Sequence, residues 1–149
     1  MQKQFLTSSV YSFESLRNGS FLYVDKTEYI WRLVESANAM YFLSRPRRFG
    51  KSLTISTLKA LFQGRKELFR GLAIYDRPYD WKPHPVIHLG MGSRKSSSVE
   101  QLENALLDAL KNCADSLGVV PRGDDAQTQL GNLILDASKT APAVILVDE

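Results

Sequence analysis

The chain has 149 residues, of which 44% are hydrophobic and 23% are charged, and its formal net charge is +3. These values are typical of one soluble domain with a sizeable core, and so small a charge excess argues against a dedicated nucleic-acid-binding surface. No apolar run reaches the roughly 18 residues of a transmembrane helix, and the start of the chain lacks the apolar core of a secretory signal. A single cysteine excludes an internal disulfide. Together these features indicate a cytoplasmic protein without a membrane segment.

The first predicted element is a helical lead-in over residues 1–39. Within it, the stretch SFLYVDKTEYIWRLVE predicts a short extended piece followed by a helix. We expect Asp25 to cap this helix and Glu28, three residues later, to complete a capping box. The predicted buried face of the helix consists of three apolar residues, Ile30, Leu33 and Val34.

A short apolar strand over residues 40–44 is predicted next, and it leads into a candidate phosphate-binding loop. The loop ends in Gly50, Lys51 and Ser52 and is followed by an apolar-periodic helix. This order of strand, loop and helix lets backbone N–H groups and a helix N-terminus hold phosphates. Arg45 occupies the position where the usual pattern has its first glycine. Because Arg45 lies where the chain leaves the strand, we expect it to constrain the turn without removing the phosphate donors.

The side chains of the loop have roles that follow from phosphate chemistry. Gly50 lets the backbone approach the phosphates closely, Lys51 reaches the outer phosphates, and Ser52 coordinates Mg²⁺. The predicted backbone donors are the N–H groups of Arg47, Arg48, Phe49, Gly50, Lys51 and Ser52. The side chains of Arg47 and Arg48 neutralise phosphate charge, reach the nucleotide of a neighbouring subunit in a homo-oligomer, contact a nucleic-acid backbone, or remain solvated. These four alternatives stay open, as does an ordinary strand-to-helix turn.

The rest of the chain alternates helices and strands. After the loop helix, which ends at Gly64, the predicted elements are a short helix and turn over residues 66–76, a strand over 86–92, a helix from a capping box of Ser97 and Glu100 to Gly118, a helix over about 125–139, and a strand over 143–147. Parallel strands joined by helical crossovers follow from this order, so the fold class is α/β. Cys113 lies on the apolar stripe of its helix and is predicted to be a core residue.

The last strand delivers two adjacent carboxylates, Asp148 and Glu149. In nucleotide hydrolases with this kind of loop, such a strand supplies the aspartate that is linked to Mg²⁺. A neighbouring glutamate is a competent general base for the attacking water. We therefore predict Asp148 as a metal ligand and Glu149, with Lys51, as a catalytic residue. The alternative is a solvated chain terminus.

Three stretches, FLYVDKTEYI, FLSRPRRFGKSLTISTLKALFQGRKELFRGLAI and VILVDE, closely resemble the AAA-ATPase-like domain of many bacterial proteins. The loop of that family resembles Ser-Arg-Pro-Arg-Arg-Phe-Gly-Lys-Ser, so Arg45 in the glycine position is a family feature. The resemblance covers nearly the whole chain. It implies a P-loop NTPase fold, a three-layer α/β/α sandwich with a mainly parallel sheet, in which residues 40–149 form the core from the Walker A loop to the Walker B strand. It also implies that the chain binds ATP and Mg²⁺.

Relatives in the resembled family continue past the acidic strand into Tyr-Asp, further strands, a helical lid and often a PD-(D/E)XK nuclease-like domain. By this resemblance the chain corresponds to the N-terminal portion, with a sheet incomplete at the C-terminus, and ATP hydrolysis belongs to the intact relative. Two other functions stay open: a truncated, non-catalytic nucleotide-binding or protein-interaction module, and a P-loop kinase for a small acceptor. Nucleic-acid binding is not supported by this chain alone.

Overall fold

A computed structural model describes residues 5–7, 9–36, 40–90 and 98–148. Met1–Lys82 form one compact unit and Pro83–Glu149 form another. The helices are α1 (Phe13–Asn18), α2 (Thr27–Glu35), α3 (Lys51–Phe62), α4 (Val99–Leu117) and α5 (Ala126–Ala137), with 3₁₀ helices at Lys66–Phe69 and Ala73–Asp76, and the strands are β1 (Val86–Gly90) and β2 (Val144–Asp148). The mixed α/β composition is therefore confirmed. Within the described ranges, no helix combines the length and the apolarity that crossing a membrane requires.

The first unit packs its helices around one aromatic cluster. Phe13 is fully buried, and its ring lies 4.7 Å from that of Phe69 and 5.1 Å from that of Tyr23, measured between centroids. Trp31 and Trp81 are partly buried and pack against the same cluster. The remaining buried members, from α2, α3, the 3₁₀ helices and the turn between those two helices, are Ile30, Ala60, Leu61, Leu68, Leu72 and Ile74.

The end of α3 follows the sequence prediction. Gly64 adopts the left-handed conformation with φ +71°, which favours glycine. Its N–H donates to the carbonyl of Leu61 at 2.9 Å, and the next N–H, of Arg65, donates to the carbonyl of Ala60 at 3.0 Å. These two bonds satisfy carbonyl groups that the helix itself leaves without partners, so the helix stops here.

The start of α2 differs from the predicted capping box. The helix begins at Thr27 after Lys26, whose side chain makes no capping hydrogen bond, and Asp25 lies one residue before that position. One carboxylate oxygen of Asp25 accepts the N–H of Thr27 at 2.8 Å, and the other accepts the N–H of Ala73 at 2.7 Å. The Glu28 carboxylate instead accepts from the guanidinium of Arg77 at 2.7 Å. A charged, forked donor is a stronger partner for a carboxylate than one backbone N–H, so Glu28 turns toward Arg77.

The prediction of a strand over residues 40–44 is wrong. This run has no regular structure, and the side chains of Met40 and Phe42 are 98% and 94% exposed. A strand exists through the hydrogen bonds of its ladder, and in the described parts of the chain β1 and β2 pair with each other alone. The apolar content of this run predicted a strand, but within the described residues neither β1 nor β2 pairs with it.

The second unit contains the parallel crossover that the order of elements predicts. β1 and β2 run parallel, with Val86 opposite Val144 and Gly90 opposite Asp148, and α4 and α5 connect them. The residues that form its core are Ile87, Leu89, Leu110, Cys113, Ala114 and Leu133. Two adjacent strands and their helical connection thus form as predicted.

α4 is longer than the core beneath it. Val99 and Leu102, apolar residues in its first turn, are 81% and 42% exposed. Cys113 is buried, as predicted, and its thiol donates to the carbonyl of His88 at 3.2 Å. The helix begins after Ser98, whose hydroxyl accepts the N–H of Gln101 at 3.2 Å. The predicted capping residue Ser97 lies outside the described residues, and α4 ends at a left-handed Gly118, as predicted.

Candidate phosphate-binding site

The segment that precedes α3 is a tight, exposed turn. The N–H of Phe49 donates to the carbonyl of Pro46 at 3.3 Å, and the guanidinium of Arg45 donates to the carbonyl of Phe49 at 3.5 Å. Arg45 thus spans the turn that it was expected to constrain. Because the Phe49 N–H already has a partner in this conformation, it donates to a phosphate only after that bond opens.

Two residues of the loop adopt left-handed backbone conformations. Gly50 has φ +76° and ψ +22°, and Arg48 has φ +64°. A Cβ atom added at Gly50 would meet nothing within 4 Å, so the backbone angle, and not lack of space, favours glycine there. Alternation of right- and left-handed residues turns successive N–H groups toward a common concave side, an arrangement that binds anions.

α3 begins directly after this glycine, and its first turn has no acidic residue. The helix is 12 residues long, so its N-terminal end carries the positive pole of the helix dipole together with N–H groups that lack partners within the helix. The carbonyl of Gly50 faces the other way and accepts both the N–H and the hydroxyl of Thr54, each at 2.9 Å. Ser52 is exposed and Lys51 is half-buried at this end. This part of the chain suits a negatively charged ligand.

Positive charge surrounds the same loop. Arg45, Arg47 and Arg48 are all exposed. Arg48 holds a left-handed conformation that costs a non-glycine residue about 1–2 kcal/mol. Strained residues of this kind cluster at binding sites, because there the backbone geometry serves the ligand.

The predicted carboxylate of the site lies in the second unit. Asp148 is the last residue of β2, half-buried, and stands opposite Gly90 at the carboxyl end of the parallel pair. Ligands of parallel α/β sheets bind at this end of the strands. Glu149 and residues 91–97 lie outside the described residues. The structure therefore gives Asp148 its own local setting, at a strand end, while the loop belongs to the first unit.

Comparison with known proteins decides the family. Residues 8–149 match the AAA-ATPase-like family, described as predicted AAA-ATPases. The chain belongs to the AAA-ATPase-like family. A protein of Azotobacter chroococcum mcd 1, named as an uncharacterized protein in the vnfD 5' region, is 37% identical over 153 residues. This alignment covers 100% of the chain and 29% of the relative, so the chain spans less than a third of that protein's length. No solved structure matches the chain.

The AAA-ATPase-like chain offers oxygen ligands of the kind that Mg²⁺ prefers. Within the residues that the structure describes, no three histidine, cysteine, aspartate or glutamate side chains gather closely enough to hold a metal ion. Magnesium at a nucleotide site does not require such a cluster, because it binds one or two protein oxygens together with phosphates and water. The exposed hydroxyl of Ser52 and the carboxylate of Asp148 are oxygen donors of this type.

Sequence reasoning missed the hydroxyl groups of α3 beyond its first turn. Ser56 accepts the N–H of Phe13 at 2.8 Å, and the fully buried Thr57 donates to the carbonyl of Leu53 at 2.8 Å. The pattern that would have pointed to them is the hydroxyl-bearing set in an otherwise apolar helix: Ser52, Thr54, Ser56 and Thr57. Such residues are not favoured in helix interiors unless their hydroxyls find specific partners.

Proposed function

We propose that this chain is the ATP- and Mg²⁺-binding portion of an AAA-like ATPase. The observation that carries the proposal is the left-handed Gly50 placed immediately before the N-terminus of α3, with Lys51 and Ser52 as the first helical residues. A glycine in this conformation, followed by a helix N-terminus and a lysine, is an arrangement suited to the phosphates of a nucleoside triphosphate. Family membership supports the same ligand.

The proposed roles follow from the chemistry of phosphoryl transfer. Water attacks the γ-phosphorus, the bond to the oxygen bridging the β- and γ-phosphates breaks, and negative charge builds on the departing diphosphate. Lys51 stabilises that charge, and Glu149 accepts the proton of the attacking water. The Ser52 hydroxyl and the Asp148 carboxylate would each supply an oxygen ligand for Mg²⁺, which would neutralise phosphate charge. The loop N–H groups and the guanidinium groups of Arg47 and Arg48 bind the phosphates.

The proposal extends to the fold around the site. Residues 1–39 form a lead-in and residues 40–149 the core of a three-layer P-loop domain, whose remaining strands belong to the longer protein. The parallel pairing of β1 with β2 through a helical crossover supports this architecture. So does the match to a relative of which this chain covers 29%.

The test is an equilibrium titration with a fluorescent ATP analogue and Mg²⁺, on the wild type and on Lys51→Ala. We expect the variant to lose at least about 10-fold in affinity, because a desolvated lysine–phosphate bond contributes about 1.5–3 kcal/mol. Lys59→Ala is the matched control, since it removes a lysine from the last turn of the same helix. Equal binding by Lys51→Ala and the wild type would refute a phosphate role for the loop.

A second measurement separates ATP hydrolysis from the two remaining functions. Phosphate released from ATP without an added acceptor identifies a hydrolase. Transfer of the phosphate only to an added small acceptor identifies a kinase. Tight binding with neither product identifies a non-catalytic nucleotide-binding module. The non-catalytic outcome is included because the chain matches less than a third of a longer relative.

A further inference from the structure

Two hydroxyl side chains in the middle of α3 contact the N-terminal segment of the same unit. The hydroxyl of Ser56 accepts the N–H of Phe13, the first residue of α1, at 2.8 Å. The next residue, Thr57, lies 3.5 Å from the phenol oxygen of Tyr23, measured between oxygens. The two contacts join residues 43 and 34 positions apart, so they are tertiary contacts that fix one element against another.

Each contact involves one fully buried residue. Phe13 and Thr57 are fully buried, and the ring of Tyr23 meets that of Phe13 edge-on at 5.1 Å. The first N–H groups of a helix have no partner within it, so the Phe13 N–H depends on Ser56. The Thr57 hydroxyl gives its own proton to the carbonyl of Leu53 at 2.8 Å, which leaves its oxygen to receive the phenol proton of Tyr23.

These contacts lie on the part of α3 that carries the candidate phosphate site. Ser56 follows Ser52 by four residues, so their side chains stand one above the other on the same face of the helix. With residues 56 and 57 both anchored, α3 cannot turn about its axis without breaking one of these contacts. Such a turn would swing the Ser52 hydroxyl and the first N–H groups away from a ligand, and binding sites tolerate only about 10–20° of misorientation.

We propose that Ser56 is a positioning residue for phosphate binding, through which α1 sets the rotation of α3 and hence the direction of the Lys51 and Ser52 donors. The inference rests on the proposed function, since it assigns a second role around the same loop. By reciprocity, a ligand that binds the correctly rotated helix also stabilises the bond between Ser56 and Phe13.

The first test is the affinity of folded Ser56→Ala for the fluorescent ATP analogue with Mg²⁺. We expect a loss of about 5-fold or more, the usual lower size of coupling between two sites, and recovery of most of it in Ser56→Thr, which keeps the hydroxyl. Inorganic tripolyphosphate, used as a competitor, should show the same loss, because the defect concerns phosphate. Ile74→Val is the control for lost stability, since it trims a buried residue of the same cluster away from the α3 hydroxyls.

The second test uses the wild type and does not depend on whether the variant folds. Mg²⁺ and ATP should slow hydrogen exchange of the Phe13 N–H more than that of the Ile74 N–H, which is bonded to Thr27 in the same unit. Equal slowing of both, together with unchanged affinity in Ser56→Ala, would overturn the positioning role. If Lys51→Ala binds as well as the wild type, the proposed function itself fails. If Lys51→Ala loses binding while Ser56→Ala keeps the wild-type affinity, only the positioning role fails.

Discussion

The two compact units present their candidate residues by different physical means. In the first unit, Gly50, Lys51 and Ser52 take their directions from one helix N-terminus and two left-handed backbone positions, on a scaffold of packed helices. In the second unit, Asp148 takes its direction from the parallel ladder that ends beside Gly90. A helix end offers donors for anions, and the carboxyl end of a strand offers a place for a metal ligand. The candidate phosphate-binding residues and the candidate metal ligand therefore depend on separate local structures.

The largest effects are expected from a matched pair of glycine substitutions, one in each unit. Gly50 has φ +76° and Gly118 has φ +67°, and an added Cβ meets nothing within 4 Å at either position. Each change to alanine should therefore cost about 1 kcal/mol in the free energy of unfolding, measured by urea denaturation. Gly50→Ala alone should also weaken binding of the ATP analogue by about 5-fold, because the loop relaxes from its left-handed geometry.

Gly118 ends α4 by a local hydrogen-bond pattern, in which the N–H of Val119 donates to the carbonyl of Ala114 at 2.9 Å. Its substitution therefore supplies the stability control for Gly50→Ala. A loss of nucleotide affinity of the same size in both variants would mean that the loop glycine acts through stability alone.

A smaller effect is expected from Arg48→Gly, which sharpens the description of the first unit. Glycine accepts φ +64° without strain, so this variant should be as stable as the wild type or more stable by up to about 1 kcal/mol. It should nevertheless bind the ATP analogue about 2- to 5-fold more weakly at low salt, since an exposed charge interaction contributes about 0.2–1 kcal/mol. The difference should shrink as salt is added. Unchanged affinity at low salt would leave the Arg48 side chain as a solvated group.

The smallest effects concern acid stability, and one carboxylate from each unit, Asp25 and Asp136, illustrates them. Burial acts to raise the pKa of Asp25, but hydrogen bonds from Thr27 and from the Ala73 N–H outweigh it and lower the pKa below its ordinary value. Hydrogen bonds from Lys139 and Arg122 lower the pKa of Asp136 in the same direction. A carboxyl group whose pKa is lowered in the folded state stabilises the fold above its unfolded pKa, near 3.9, and loses that effect as the pH falls through the folded pKa.

Asp25→Asn and Asp136→Asn should therefore reduce stability at pH 7 and converge on the wild type below about pH 4. Thermal unfolding at pH 7, 5 and 3 measures this. The effect of Asp136→Asn should also decline with salt, because its partners Arg122 and Lys139 are largely exposed. A difference from the wild type that stays constant from pH 7 to pH 3 would show that ionisation of these carboxyl groups does not matter.

The sequence predicted those parts of the fold that depend on local rules. The end of α3 at Gly64 and the end of α4 at Gly118 follow from glycine conformation and short-range hydrogen bonds, as does the bond from the Thr27 N–H to Asp25. The parallel pairing of β1 with β2 follows from the helical crossover between them. The start of a helix directly after Gly50 was predicted in the same way, whereas the phosphate roles of the loop residues stay predictions.

What the sequence could not provide depends on partners distant along the chain. The apolar run at 40–44 reads like a buried strand, yet whether it pairs is decided by a neighbour that its own residues do not encode. The exposed Val99 shows that an apolar stripe can run beyond the core that it packs against. The hydrogen bond from Phe13 to Ser56 joins residues 43 positions apart, and neither residue type predicts it.

The most direct measurement is the change in backbone amide resonances when Mg²⁺ and ATP are added to the isotope-labelled chain. If the phosphates bind at the loop, the largest shifts should fall on the amides of residues 47–52, and in Lys51→Ala they should require at least about 10-fold more ATP. The amide of Gly118, a left-handed glycine of the second unit, should stay unchanged as an internal reference. Shifts that avoid residues 47–52, or that appear in Lys51→Ala at the same ATP concentration as in the wild type, would contradict phosphate binding at the N-terminus of α3.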